Sequence, residues 1–427
     1  MRSFAFRMRI LLWVAVAIWS QLTGCGPQTV TKWYKGNTHT HTWWSDGDSP
    51  PETVVKWYKD HGYHFLVLSD HNVLSEGERW VAADKRRGEA ARIYEETFGN
   101  AKVVKRQGAD GQTEYLCAPL DKVKAQFEEP GQFLLIQGEE ISDSAEGKPV
   151  HLNGVGITTV IPPQRGSDIF VTLQNNVDAV LAQEAQMCHP MLVHVNHPNF
   201  GWALRADQMA RLEGSVMFEV ANGHPGVNNL GDETYMSTER MWDVVLTKRL
   251  AEYGLPIMYG LGTDDAHNFV ATGGAGPGRA WVVVRSSALT ADCLIEAMYR
   301  GDFYASTGVI LKDIRFADDR LDIEIEPRPG VGYKTQFIGT LAGYDDTVAY
   351  LPSDPKRGPT CRYSDDIGRV LSEQTGTIAS YKLTGKEIYV RAKVISTARH
   401  DVPVVAGDFQ VAWCQPVQPG CRSGGAR

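Results

Sequence analysis

The stretch HFLVLSDHN, residues 64–72, sets four apolar residues in a row, Phe65 to Leu68, ahead of a polar ending that carries His71. An unbroken apolar run of this length describes a strand buried on both faces, the kind found in parallel sheets with helices packed outside. The residues before it supply such a helix. In SPPETVVKWYKDHGY (49–63), Ser49 and Glu52 have capping-box spacing, Pro50 and Pro51 fall in the first turn, and Gly62 marks the end. The same alternation continues through QFLLIQGEEI (132–141), KPVHLNGVGI (148–157), the helical NNVDAVLAQEAQ (175–186), MLVHVNHP (191–198) and SVMFEVANG (215–223). It then runs through ERMWDVVLTKRLAEYG (239–254), LPIMYGLGTDDAH (255–267), RAWVVVRSS (279–287) and LTADCLIEAMYR (289–300). So many buried strands separated by amphipathic helices predict a parallel sheet rolled into a closed or nearly closed barrel.

Two segments break the pattern. Residues 73–132 are charged and rich in Gly, Lys and Glu, and read as a helical insertion on the surface. Beyond about 310, LDIEIEP, KTQFIG, EIYVRAKVIS and FQVAWCQPV are short alternating strands between Gly, Pro and Asp turns, which predicts a small β-sandwich. The expected organisation is therefore a leader over 1–24, a tether over 25–32, a barrel over 33–310 and an all-β unit over 311–427.

Composition sets outer limits. The 427 residues are 43% apolar and 22% charged, an ordinary globular balance with ample material for a core. A formal charge of −8, with no basic block longer than DKRRGEA (84–90), argues against nucleic acid as a partner.

The chain opens as an address. Arg2, Arg7 and Arg9 precede the apolar run ILLWVAVAIWS (10–20), which is too short to span a bilayer comfortably. Leu22-Thr23-Gly24-Cys25 follows, and it resembles the lipobox of bacterial lipoproteins, in which the cysteine becomes the first mature residue and carries the acyl chains. The resemblance implies an exported protein facing the periplasm and held to the membrane at Cys25. Gly26, in place of an aspartate, favours the outer membrane. In that oxidising setting six cysteines remain, with no CxxC, and Cys361, Cys414 and Cys421 form the group where a disulfide is most expected.

The chemistry sits at the predicted strand ends, where barrels gather functional groups. His39 and His41 close the first strand, and a spacing of two puts both imidazoles on one face. Asp46 follows in SDG, His71 ends HFLVLSDHN, Glu140 ends QGEEI, His151 lies in KPVHLNG, His197 ends MLVHVNHP, and Asp265 with His267 ends GLGTDDAH. A single HxH is weak, but this ordered series is specific.

The series resembles the PHP (polymerase and histidinol phosphatase) family of metal-dependent phosphoesterases over about 33–310, and the resemblance implies a distorted (β/α)7-type barrel with metals at its rim. It implies that His39, His41, Glu140 and Asp265 hold one metal, Asp46, His71 and His267 a second, and Glu140, His151 and His197 a third, with Glu140 bridging. Two or three divalent ions are expected. Imidazole and carboxylate ligands without thiolate suit Zn, Mn or Fe, and do not choose among them.

The charge balance agrees. With neutral imidazoles, three carboxylates set about −3 against about +6 from three divalent ions, a positive pocket suited to an oxyanion. Bound water would be acidified from about 15.7 towards about 7, which implies hydrolysis of a small phosphate mono- or diester by metal-bound hydroxide held by Glu140, Asp265 and His267.

Each residue also has a plainer reading. Alone, His151 would be a surface or core histidine, and its place in the series is what makes it a ligand. Glu139 is the alternative to Glu140, and His194, two before His197 on the same strand face, is the alternative there. Asp70 and Asp264 read as supporting hydrogen-bond or loop residues. Trp43, Trp44 and Trp202 either wall a pocket or pack. Arg205 is a weak candidate for a phosphate clamp and His224 for a general acid, against defaults of a solvated arginine and a loop histidine. Two other functions compete: the same metals could act on a carboxylic ester, carbamate or amide, or the chain could be a non-catalytic envelope binding protein with structural metals.

Overall fold

The computed structural model describes residues 30–214, 216–271 and 273–420. The leader, Cys25 and Cys421 lie outside the described residues. No described helix is long and apolar enough to cross a membrane.

The strand β1 (Lys32–Asn37) leads up to the HxH pair, and α1 (Pro51–Asp60) follows. The expected capping box is not formed: Pro50 is the N-cap, the Ser49 hydroxyl donates to Asp48, and Glu52 accepts from the Tyr94 hydroxyl. Proline at the first turn needs no such cap, because its fixed φ starts the helix and it has no N–H to satisfy. The HFLVLSDHN strand is β2 (Phe65–Leu68), buried throughout.

The inserted segment is only partly helical. It holds β3 (Arg79–Ala82), α2 (Gly88–Phe98), β4 (Lys105–Gln107), β5 (Thr113–Cys117) and α3 (Leu120–Phe127), with the strands paired antiparallel in the order β3-β5-β4. Trp43 and Trp44 are buried in the small core that this insertion makes with Tyr94, Tyr115 and Cys117, so they pack rather than line a cavity.

The chain then forms β6 (Leu134–Ala145), β7 (Lys148–Val155), α4 (Ile169–Met187), β8 (Leu192–Val195), α5 (Ala206–Ala210), β9 (Val216–Asn222), α6 (Thr238–Thr247) and β10 (Tyr259–Thr263). Seven strands lie side by side as β10-β9-β8-β7-β6-β2-β1. A parallel bridge between Thr40 and Ala266 closes the ring at the rim, where His41 N–H donates to the Ala266 carbonyl. The fold is thus the expected distorted barrel, with one departure: the sheet is mixed. β7 runs antiparallel to both β6 and β8, because β6 and β7 are the two arms of a long hairpin turned at Glu146 and Gly147, both at positive φ. Two central residues of that conformation make the tight turn that suits strand twist.

Beyond the ring, β11 (Trp281–Ser286), α7 (Ala291–Tyr299) and β12 (Phe303–Ser306) extend the same sheet antiparallel from β1. The remaining strands are β13 (Leu311–Ala317), β14 (Arg320–Ile325), β15 (Tyr333–Leu341), β16 (Val348–Tyr350), β17 (Cys361–Tyr363), β18 (Arg369–Thr375), β19 (Ile378–Lys382), β20 (Glu387–Arg399) and β21 (Phe409–Cys414). The sheet β13-β14-β19 faces β15, β20 and β21 across a shared core that includes Phe316, Ile323, Phe337 and Val394, giving the sandwich-like C-terminal region. β21 pairs with β12, so this region continues the large sheet. Across α6 and β20, Arg391 binds Asp243 through two 2.7 Å hydrogen bonds and Lys393 meets Glu239 at 2.6 Å. Cys361 and Cys414 are both free thiols, each buried in a different core, so the disulfide expected of their group does not join these two, and its third member, Cys421, lies outside the described residues.

Candidate metal centre

The backbone contacts that close the rim also gather the candidate ligands. The Thr40–Ala266 bridge sits between His39 and His41 on one side and Asp265 and His267 on the other. A second parallel bridge joins His71 directly to Glu140. His197 and Asp265 both take positive φ, 26° and 49°, a conformation non-glycine residues adopt rarely and mostly where surrounding structure enforces it.

Glu140 lies at the middle, buried. Its Oε2 is 3.4 Å from His39 Nε2, 3.4 Å from His41 Nε2 and 2.9 Å from His71 Nδ1. Its Oε1 is 3.1 Å from His151 Nδ1 and 3.2 Å from His197 Nε2. Asp265 Oδ1 stands 3.2 Å from both His39 and His41 Nε2. At the outer edge, Asp46 Oδ1 is 3.3 Å from His267 Nε2 and 3.6 Å from His71 Nε2. All nine side chains of the series therefore converge.

Seven of them fall into three overlapping sets able to hold an ion: His39, His41 and Glu140; His41, Asp46, His71 and His267; and His71, Glu140 and His151, with Asp265 and His197 alongside through His39 and Glu140. His41, His71 and Glu140 are thus each shared between two sets. The fit to metals shows in atoms left without partners, since His39 Nε2, His41 Nε2 and Glu140 Oε2 are buried and make no hydrogen bond. Buried polar atoms left so are costly, by about 1–3 kcal/mol each, and a divalent ion among N and O donors satisfies all three together.

Electrostatics describe the same demand for positive charge. Burial alone would raise Glu140, yet the imidazoles of His71, His39 and His151 hold it well below its ordinary value. Burial likewise works against charge on His39, but Asp265, Glu140 and Glu219 hold its pKa well above the ordinary value. His71, against the same burial, is raised to about 9 by Glu140 and Asp46. His41 goes the other way, to about 3, through burial and the neighbouring His267.

A second ring of side chains orients the first. Glu219 accepts from His39 Nδ1 at 2.7 Å and from the His197 backbone N–H at 2.7 Å. That places the His39 proton on Nδ1 and leaves Nε2 facing inward, a support common behind metal-binding histidines. Asn222 donates to Glu219 and to Asp265, and Asn196 donates to Glu140. Asp70 accepts from Thr42 and Ser45, and Asp264 from Tyr58 and the backbone of Gly278, Arg279 and Ala280, so both are supporting residues.

The alternatives are separated by direction. Glu139 turns to the opposite strand face and accepts from the Ile161 N–H. His194 lies behind the group, 3.9 Å from Glu219, whereas His197 reaches Glu140. Arg205 does not join the group: its Nε and Nη2 are held by Asp207 at 2.9 and 3.0 Å. Trp202 packs against Tyr235, the rings tilted by 43°, with the Arg357 guanidinium over its face. His224 does approach, its ring 5.5 Å from His267, with Nδ1 accepting from the Gly226 N–H.

Glu219, Asn222 and Asn196 escaped the sequence reading. The available signal was a carboxylate inside the otherwise apolar MFEVANG, since a charge in a buried strand needs a partner. Arg87 also escaped it: the insertion carries it to the Ser45 carbonyl, beside Asp46.

No protein-family model matches the chain, and no curated protein matches it. Among solved structures, it is similar to a two-domain protein from Bacteroides vulgatus containing a predicted PHP-like metal-dependent phosphoesterase. That likeness has 14% identity over 91% of this chain and 96% of the other, with a TM-score of 0.38. A protein from Bifidobacterium adolescentis, assigned by inference as a metal-dependent phosphoesterase, is 15% identical over 57% of this chain and 91% of its own, with a TM-score of 0.27. Likenesses this distant carry no activity across, and the case for one rests on the residues themselves.

Proposed function

We propose that the chain is a metal-dependent hydrolase of small phosphate mono- or diesters, its barrel unit taken as residues 33–310. The observation that carries this is the convergence of nine imidazole and carboxylate side chains around buried atoms that lack partners. His39, His41, Glu140 and Asp265 would hold one ion, Asp46, His71 and His267 a second, and Glu140, His151 and His197 a third. When bound, such ions supply concentrated positive charge that draws a phosphate oxyanion and acidifies water between them.

The chain's own groups do the rest. Glu219 fixes the His39 tautomer, and Asn222 fixes the unused oxygen of Asp265. His224, whose ring lies 5.5 Å from that of His267 and whose Nδ1 accepts from the Gly226 N–H, would offer a hydrogen bond from Nε2 to a leaving oxygen. Arg87 adds positive charge at the Asp46 edge. Deep burial of the inner ligands keeps bulk water from screening these charges.

The test is a panel of p-nitrophenyl phosphate, bis-p-nitrophenyl phosphate and p-nitrophenyl acetate with purified protein lacking residues 1–25. Turnover of a phosphate ester, abolished by His267→Ala with an unchanged circular dichroism spectrum, is expected. Turnover of the acetate alone would move the assignment to acyl esters, and none at all would favour a binding protein.

Export and lipidation at Cys25 would place this activity on the periplasmic side of a membrane, the outer one by the Gly26 rule. Cells fed labelled palmitate should label the wild-type protein and leave Cys25→Ser unlabelled; equal labelling removes the anchor.

A further inference from the structure

The outermost group of proposed ligands has the least packing of its own. The Asp46 side chain is 48% exposed and those of His71 and His267 are half-buried, whereas His39, His41 and Glu140 are closed to solvent. Asp46 and His267 also stand on loops rather than strands, Asp46 in the turn that follows His41 and His267 at the start of the segment leading to β11. Nothing in an exposed carboxylate itself keeps its oxygen 3.3 Å from His267 Nε2. Ordering such a group when an ion arrives costs affinity, unless its loop is fixed beforehand.

Asp48, buried and two residues beyond Asp46, supplies that fixation. Its N–H donates to the His267 carbonyl at 2.8 Å. Its Oδ1 accepts from the Phe269 N–H at 3.0 Å, and its Oδ2 from those of Val270 and Ala271 at 3.4 and 3.3 Å. The Ser49 hydroxyl also donates to Oδ1. A buried carboxylate met by consecutive backbone N–H groups grips the segment that carries them, since such charge-assisted bonds are stronger than neutral ones. The turn on the other side is equally constrained. Gly47 N–H donates to the Thr42 carbonyl at 2.9 Å, an approach so close that a Cβ at position 47 would stand 2.7 Å from Thr42 Cα.

The insertion backs this grip. The Trp43 indole N–H donates to the Asp48 carbonyl at 2.7 Å, while its ring packs with Tyr94 and Tyr115 of the insertion. We propose that Asp48 is a positioning residue for the outermost ion: it locks the loop bearing Asp46 to the loop bearing His267, and the insertion holds the lock through Trp43. The inference rests on the metal-centre reading and adds to it a residue that touches no ion.

The test is zinc titration of the metal-free protein against a competing chelator, for the wild type, Asp48→Asn and Trp43→Phe, with the thermal transition of each metal-free protein recorded beside it. His267→Ala, which removes a ligand, marks the equivalent that belongs to the outermost set. Asp48→Asn keeps the size and one acceptor oxygen but turns an amide NH2 toward backbone N–H groups that need an acceptor. It should bind the marked equivalent about tenfold more weakly and the remaining zinc as the wild type does. Trp43→Phe should weaken the same equivalent by less, and decides the matter alone if Asp48→Asn does not fold. A lowered thermal transition with every affinity unchanged, or with all of them weakened alike, overturns the proposal and leaves Asp48 a structural residue while the metal-centre reading stands. A wild type that binds no zinc overturns both.

Discussion

Glu219 shows how much of the centre depends on one residue that touches no proposed ion. It is fully buried, and its two oxygens accept from His39, the His197 backbone, Asn222 and Thr263. Glu219→Gln keeps the shape but places an amide against His39 Nδ1, so the histidine can no longer donate there and its inner nitrogen turns protonated. Metal affinity should fall about 10–100-fold, as for other lost supports of ligating histidines, with little change in thermal stability of the metal-free protein. Titration with a competing chelator reads this, and an unchanged affinity would show that Glu219 does not orient the site. Most of the candidate ligands were legible in the sequence because they stand at or just past the end of a buried strand, although Glu140 and His151, expected near strand ends, fall inside the long hairpin strands β6 and β7. Glu219 was not, because its partners His39 and His197 are far away in the chain and meet it only after the barrel closes.

At the scale of elements, the contact between α6 and β20 ties the barrel to the C-terminal strands. Asp243 and Glu239 on α6 face Arg391 and Lys393 on β20. Burial opposes charge on Glu239, but Arg391 and Lys393 together hold its pKa below the ordinary 4.5. A carboxyl depressed by folding contributes stability that is complete above its unfolded pKa and lost as pH falls through the folded one. Wild-type unfolding free energy should therefore fall as pH drops below about 4.5, and Glu239→Gln should flatten that part of the profile. A denaturation series between neutral and acid pH measures it, and parallel profiles would contradict the assignment. Arg391→Met should be the severe change, by about 3–5 kcal/mol, since it strands buried carboxylates without their cation.

Element type was also where the sequence misled. The alternation of strands with helices was plain, but the direction of β7 was not. KPVHLNGVGI reads as one more buried strand, and only the two-residue turn at Glu146 and Gly147 makes it return antiparallel. The insertion's strands β3, β4 and β5 hid for another reason: half-exposed and charged, they lack the apolar run that announces a strand in the barrel.

Over the whole molecule, a ring of seven strands brings together residues as distant in sequence as His39 and His267, and the C-terminal strands extend the same sheet rather than stand apart. The convergence leaves carboxylates and imidazoles packed with unpartnered inner atoms, a state that bound ions would relieve. Binding to the folded form alone stabilises it, by about 2.7 kcal/mol when free metal is a hundredfold above its dissociation constant. Chelation should thus lower the melting temperature, and zinc or manganese should restore it.

The decisive measurement is elemental analysis of the reconstituted protein beside Glu140→Ala, the variant that removes the carboxylate shared by five histidines. Two or three equivalents of a divalent metal in the wild type, falling by at least one in the variant, is the expected result. Less than one equivalent in the wild type, or an equal content in both proteins, would mean that these side chains meet for some purpose other than holding metal.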